Sequence, residues 1–162
     1  MADAGDSRGW NPEELETWSA VATLLEWLPA VLDTQLRQDS EMSHFEFGIL
    51  FALDQAEGNT LTMSELAGYA NSSLSRLSRA VARLEKNGWA ARRPKPDDGR
   101  ITLATLTDEG AAAVRAALLG HTALVRRIVF GSLTDAQSRQ LGAIARRITT
   151  AIDSQDAWAP PR

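Results

Sequence analysis

The sequence predicts a mainly α-helical protein with one small β-hairpin. Three observations predict it. Apolar residues recur at three- and four-residue spacing through most of the 162-residue chain. Helix starts of the form Ser/Thr/Asn-x-x-Glu/Gln stand at Asn11, Ser43, Thr62 and Thr134. Two β-like runs flank the turn Pro-Lys-Pro-Asp-Asp-Gly at 94–99.

Residues 1–9 are small and polar and read as a disordered tail, as do 156–162. In "NPEELETW" Asn11 caps a helix, Pro12 suits its first position and Glu14 completes a capping box. Leu15, Trp18, Val21, Ala22, Leu25, Leu28, Leu32 and Leu36 then mark one face to about Asp39, with Pro29 expected to kink or split the helix. "SHFE" opens a second helix, apolar at Phe47, Leu50, Phe51 and Ala56 and ending near Gly58. "TMSE" opens a short third helix to about Tyr69, with Leu61 before it in a brief extended segment.

"NSS" at 71–73 is a turn and cap cluster. The helix after it runs over 73–87, stops at Gly88 and is expected to bury Leu74, Leu77, Val81 and Leu84. Strands follow at Trp89–Arg93 and Ile101–Thr105, with Pro94 and Pro96 confined to the turn or an edge. Thr107, Asp108 and Glu109 start a helix to about Phe130. "TDAQ" starts a last helix with Leu141, Ile144, Ala145, Ile148 and Ile152 on one side.

Two helices joined by a short turn and followed by a hairpin make a winged helix-turn-helix. The organisation is thus one domain: a winged helix-turn-helix at 43–106, flanked by long helices at 11–39 and 107–154.

Composition narrows the function classes. Hydrophobic residues at 44% with 23% charged residues fit a globular chain, and no apolar run approaches the ~18–20 residues that span a bilayer. The start, MADAGDSRGW, lacks the basic-then-apolar pattern of a secretory leader, so the expected location is cytoplasmic. With no cysteine there is no disulfide and no thiol switch. His44 and His121, the only histidines, stand in no metal-ligand spacing, and no metal or cofactor is expected. No nucleophile–base set or phosphate loop stands out, which argues against an enzyme.

Charge is unevenly placed. Residues 71–103 carry Arg76, Arg79, Arg83, Lys86, Arg92, Arg93, Lys95 and Arg100 against Glu85, Asp97 and Asp98, a local +5 in a chain of net −4. A basic middle between acidic flanks is the asymmetry of a segment that contacts an anion. In a helix-turn-helix the second helix enters the major groove of DNA. With its apolar stripe buried, Ser72, Ser73, Ser75, Arg76 and Arg79 lie on or near the open side. Serines at a helix start suit phosphate oxygens, and Arg76 or Arg79 can pair with guanine. Arg83 sits further along, where it reaches backbone or pairs with acids. Taken alone, this helix fits a solvated polar face equally well. Arg92, Lys95 and Arg100 surround the wing turn, where Arg100 suits a minor groove and Asp98 can hold its guanidinium; Gly99 permits a positive φ. Taken alone, that turn fits a surface ion pair better.

The stretch "TMSELAGYANSSLSRLSRAVARLEKNGWAARRPKPDDGRITLATLTDEG" resembles the DNA-binding core of the multiple antibiotic resistance regulator (MarR) family. The likeness is strongest over 60–110 and looser over 11–154. It rests on Ser64-Glu65-Leu66-Ala67, on Arg83-Leu84-Glu85 with Gly88, and on Asp98-Gly99-Arg100 followed by Leu106-Thr107-Asp108-Glu109-Gly110. Ala82 stands where an acidic residue is expected. The resemblance implies a homodimer whose first and last two helices interlock, bound to double-stranded DNA at a pseudo-palindromic operator. It places Ser73, Ser75, Arg76 and Arg79 at the major groove and Arg100 in the minor groove. It also implies repression released by a small anionic or aromatic effector, for which Trp18, Trp27, His44 and Phe47 are the candidate lining. Aromatics at helical spacing are more often core. The competing reading is a winged-helix module that binds protein instead of DNA.

Overall fold

The computed structural model describes residues 9–153. Six helices and three strands follow in order: α1 (Pro12–Ser40), α2 (His44–Gln55), β1 (Thr60–Thr62), α3 (Met63–Tyr69), α4 (Leu74–Lys86), β2 (Ala90–Lys95), β3 (Asp98–Leu106), α5 (Asp108–Ile128) and α6 (Asp135–Asp153). Single 3₁₀ turns lie at Glu57–Asn59 and Phe130–Ser132.

Helix starts are set by local chemistry. Full capping boxes form at Asn11/Glu14, Ser43/Glu46 and Thr62/Glu65, each satisfying two backbone N–H groups that the helix leaves unpaired. At α6 the Thr134 hydroxyl accepts from the Gln137 N–H, and Gln137 reaches back to the Thr134 N–H. Thr107 caps α5 by accepting from the Gly110 N–H, while its own hydroxyl donates to the Gly88 carbonyl at 2.6 Å. That second bond ties the end of α4 to the start of α5 across the hairpin. Gly88, at φ +75°, supplies the left-handed residue that ends α4.

The sheet is antiparallel with order β1-β3-β2. Thr60 pairs with Thr105 and Arg93 with Leu103, and the register slips at Pro94/Lys95. Under the sheet lies one core: Leu36 and Met42 from the first helical region, Ile49, Leu50 and Leu53 of α2, Leu66 of α3, Leu77, Val81 and Leu84 of α4, and Val114 of α5. At roughly 25 cal/mol per Å² of apolar surface removed from water, such side chains supply the main stabilising term.

Several expectations are corrected. Helix α1 is not split at Pro29 but stays one helix from Pro12 to Ser40. Helix α2 ends at Gln55, not Gly58, since the chain there tightens into a 3₁₀ turn. The extended segment at Leu61 becomes a third strand, so the hairpin is part of a three-stranded sheet. The hairpin strands are longer than predicted, and Gly99 lies inside β3 without a positive φ. Leu74 is 54% exposed, because the first residue of α4 projects beyond the core. The predicted tails at 1–9 and 156–162 lie outside the described residues, apart from Gly9.

Among the described residues two apolar faces stay uncovered. Leu15, Trp18 and Leu25 of α1 are exposed, as are Leu141, Ile144, Ile148 and Ile152 of α6. No single described helix is long and apolar enough to cross a membrane.

Candidate nucleic-acid interface

Helix α4 is the most amphipathic surface element of the module: its buried side is Leu77, Ala80, Val81 and Leu84, and its open side is polar. At its start Ser73 accepts from the Arg76 N–H at 3.3 Å, and the Ser73 and Ser75 hydroxyls lie 3.2 Å apart. Ser72 is half-buried, while Ser73, Ser75, Arg76 and Arg79 are exposed. The backbone N–H groups of this first turn and the helix dipole favour an anion. The Arg76 guanidinium lies 4.3 Å from the Phe45 ring centroid, a cation–π contact that fixes its direction without neutralising its charge.

Arg83 donates through Nε to Glu46 Oε1 at 2.6 Å. This pair joins α4 to α2 and matches the acid-pairing alternative read for that residue. Burial pushes the Glu46 carboxyl up, but the Ser43 N–H, Arg83 and the Ser43 hydroxyl outweigh it and hold it below the ordinary range.

Arg92 differs from its expected place. Its backbone N–H donates to Glu85 Oε1 at 2.8 Å, Nε and Nη2 donate to Glu85 Oε2 at 2.9 and 2.6 Å, and Nη1 donates to the Ser78 hydroxyl at 3.0 Å. The Arg92 side chain turns inward onto α4, because β2 presents that position to the helix. It fastens the wing to α4, and its hydrogen bonds hold the Glu85 carboxyl below the usual range.

At the wing tip, Asp98 Oδ1 accepts from both the Arg100 backbone N–H at 3.1 Å and Arg100 Nε at 3.2 Å. The Arg100 side chain is 92% exposed. It is therefore aimed by Asp98 yet free along the rest of its surface. Lys95 is half-buried across the turn, and its charge, after the Arg100 bonds, helps hold Asp98 ionised.

The candidate effector residues do not share one environment. Phe47 is in the core at 5% exposure, whereas Trp27 is 72% exposed and Trp18 stacks on Trp10 at 6.1 Å. His44 and Phe47 instead gather round His121 of α5, with centroid separations to it of 6.1 and 4.8 Å. The Nδ1 atoms of both histidines are buried without a partner among the described residues. A separate cleft of about 650 Å³ opens between α1 and α5, lined by Ala30, Gln35, Asp39, Gly120, Leu124 and others. Sequence reasoning missed Glu46 and Glu85 as the anchors of Arg83 and Arg92. It missed Arg37 as well, whose ion pair with Asp33 at 2.6 Å has a legible i,i+4 spacing.

The helix pair α3–α4, the β2–β3 wing and the basic face between them define a winged helix-turn-helix protein. Comparison with known proteins carries this to a family. The MarR family model matches residues 42–101. The crystal structure of Sco3205, a MarR family transcriptional regulator from Streptomyces coelicolor, in complex with DNA, superposes with a TM-score of 0.88 at 40% identity over 94% of this chain and 96% of that one. The chain belongs to the MarR family of transcriptional regulators, whose members are not enzymes. It is also 34% identical over 80 residues to the uncharacterized HTH-type transcriptional regulator YdcH of Bacillus subtilis, covering 48% of this chain and 54% of that protein. It is 27% identical over 110 residues to the transcriptional repressor MprA of Escherichia coli, covering 68% and 62%. The matches thus span between half and two-thirds of these curated relatives.

Proposed function

We propose that the protein is a homodimeric, sequence-specific DNA-binding regulator of transcription, a repressor acting in the cytoplasm and released by a small anionic or aromatic molecule. One observation carries the DNA reading: a capped helix exposing Ser73, Ser75, Arg76 and Arg79 stands beside a wing tip whose Arg100 is 92% exposed and held by Asp98. The helix supplies groove contacts and the wing supplies a cation for the neighbouring minor groove. The crystallised relative Sco3205 is in complex with DNA, and MprA is a repressor, which supports both halves of the reading. The uncovered apolar stripes of α1 and α6 support the dimer, since a folded chain buries such surface against something. The half-buried histidine cluster and the α1–α5 cleft are the places an effector would lodge.

The test is fluorescence anisotropy with the duplex upstream of the protein's own gene. Binding that survives excess unrelated duplex is expected. A protein that binds no duplex at about 50 mM salt, where phosphate contacts are strongest, is not a DNA-binding regulator.

A further inference from the structure

A second basic cleft, of about 330 Å³, adjoins the helix–wing face already described and shares Arg76 and Arg79 with it. Its walls come from three elements: Asp33 and Arg37 on α1, Ser43 and Phe45 at the start of α2, and Arg76, Arg79 and Arg83 on α4. Four guanidinium groups face two carboxylates, counting Glu46 behind Arg83.

Each arginine is held in a particular way. Arg37 bonds Asp33 Oδ2 through Nε alone, and Arg83 bonds Glu46 Oε1 through Nε alone, both at 2.6 Å. Neither pair uses the terminal Nη atoms, in contrast to Arg92, which engages Nε, Nη1 and Nη2 together. The carboxylates therefore orient the Arg37 and Arg83 side chains and leave their forked ends uncommitted. Both side chains stay well exposed, at 62% and 60%. Planar forks left open in this manner suit two oxygens of a phosphate. Two further walls, Arg76 and Arg79, belong to the face that α4 turns outward, so an anion in this cleft is continuous with whatever α4 touches.

We propose that this cleft is a clamp for the DNA backbone, in which Arg37 of α1 joins Arg83 of α4 in holding one phosphate beside the groove that α4 enters. The clamp rests on the DNA-binding reading and extends it to the first helix. A phosphate contact fixes register without reading sequence. The clamp also links the helix that supports the dimer to the operator, so a shift of α1 against α4 separates Arg37 from Arg83 and weakens the grip.

The experiment measures the salt dependence of anisotropy for the full-length wild type, R37A and R37K, on the upstream duplex and on an unrelated duplex. R37A should bind both duplexes more weakly by the same factor and flatten the log–log salt slope by about one unit per half-site; R37K should keep the wild-type slope. A second reading uses the wild type with single neutral methylphosphonates scanned along the duplex. One position per half-site should weaken the wild type and weaken R37A less, because Arg83 alone still meets that phosphate. An R37A slope equal to wild type, or no methylphosphonate position distinguishing the two proteins, overturns the clamp. Failure of the wild type to bind any duplex overturns the DNA reading itself, so the two failures are distinct.

Discussion

Glu85 Oε2 accepts both Nε and Nη2 of Arg92, at 2.9 and 2.6 Å, and that fork fastens the wing to the helix proposed to enter DNA. Both side chains are 29% exposed, so the pair is partly shielded from water. Glu85→Ala leaves the guanidinium with Ser78 alone and should lower stability by about 1–3 kcal/mol in urea unfolding. Arg92→Ala should cost a similar amount, and the double variant less than the sum. Additive costs would mean that the two side chains act separately.

Asp98 and Arg100 divide the work at the wing tip differently, because the arginine is almost fully exposed. Arg100→Ala should leave the melting temperature unchanged, weaken operator binding and flatten its salt slope by about one unit per half-site. Asp98→Asn keeps the arginine but loosens its aim, and should weaken binding without flattening the slope. A wild-type affinity in Arg100→Ala, measured by anisotropy, would reduce the wing to ordinary surface.

Gly110 sits where the hairpin turns into α5. A Cβ there would collide with the Trp89 carbonyl oxygen and stand 2.8 Å from Leu106 Cδ1. The carbonyl is backbone and accepts from the Thr107 N–H, so it has little room to yield. Gly110→Ala should destabilise the protein by roughly 1–3 kcal/mol or more, read by chemical denaturation. A neutral effect would show that the junction can spread.

The histidine cluster gives a pH dependence of known sign. Burial holds His44 below the ordinary value of 6.5, with Asp33 partly opposing it. Burial and then the charge of His44 lower His121. The native state thus favours neutral rings, and near pH 6 the unfolded chain binds more protons. Stability should be full above about pH 6.5 and fall as pH drops through the lowered native values. Thermal melts from pH 7.5 to 5 should show that loss in the wild type and less of it in a His44→Asn/His121→Asn double variant. Parallel curves would contradict the account.

The stripe formed by Ile144, Ile148 and Ile152 lies at four-residue intervals along α6, and each of the three is more than half exposed in the chain. Ile148→Asp places a carboxylate in the middle of that stripe. Light scattering should give about twice the 17.6 kDa chain mass for the wild type and a shift toward the single chain for the variant. A wild type already monomeric would remove the dimer from the proposal.

What the sequence made legible was mostly local. Asn11/Glu14, Ser43/Glu46 and Thr62/Glu65 are bonds across three residues, so their spacing alone announces them. Leu77, Val81 and Leu84 repeat at helical period and are buried as the period requires, while Leu74, on the same period, escapes because it begins the helix. The Asp98–Arg100 pair was legible across two residues. Pairings over longer distances were not: Arg83 meets Glu46 across 37 residues, and Thr60 meets Thr105 across 45. Arg92 shows why the candidate site was only partly readable. Its charge marks it as a DNA contact, but the side of β2 it occupies depends on where α4 packs, which no local pattern records.

The most direct measurement is a footprint of the full-length protein on the DNA upstream of its own gene, with Arg79→Ala in parallel. The account predicts protection of two inverted half-sites whose centres lie about one helical turn, ~10 bp, apart, with reduced sequence discrimination in Arg79→Ala. A single unpaired protected stretch would contradict the dimer. No protection at any salt would contradict the central claim.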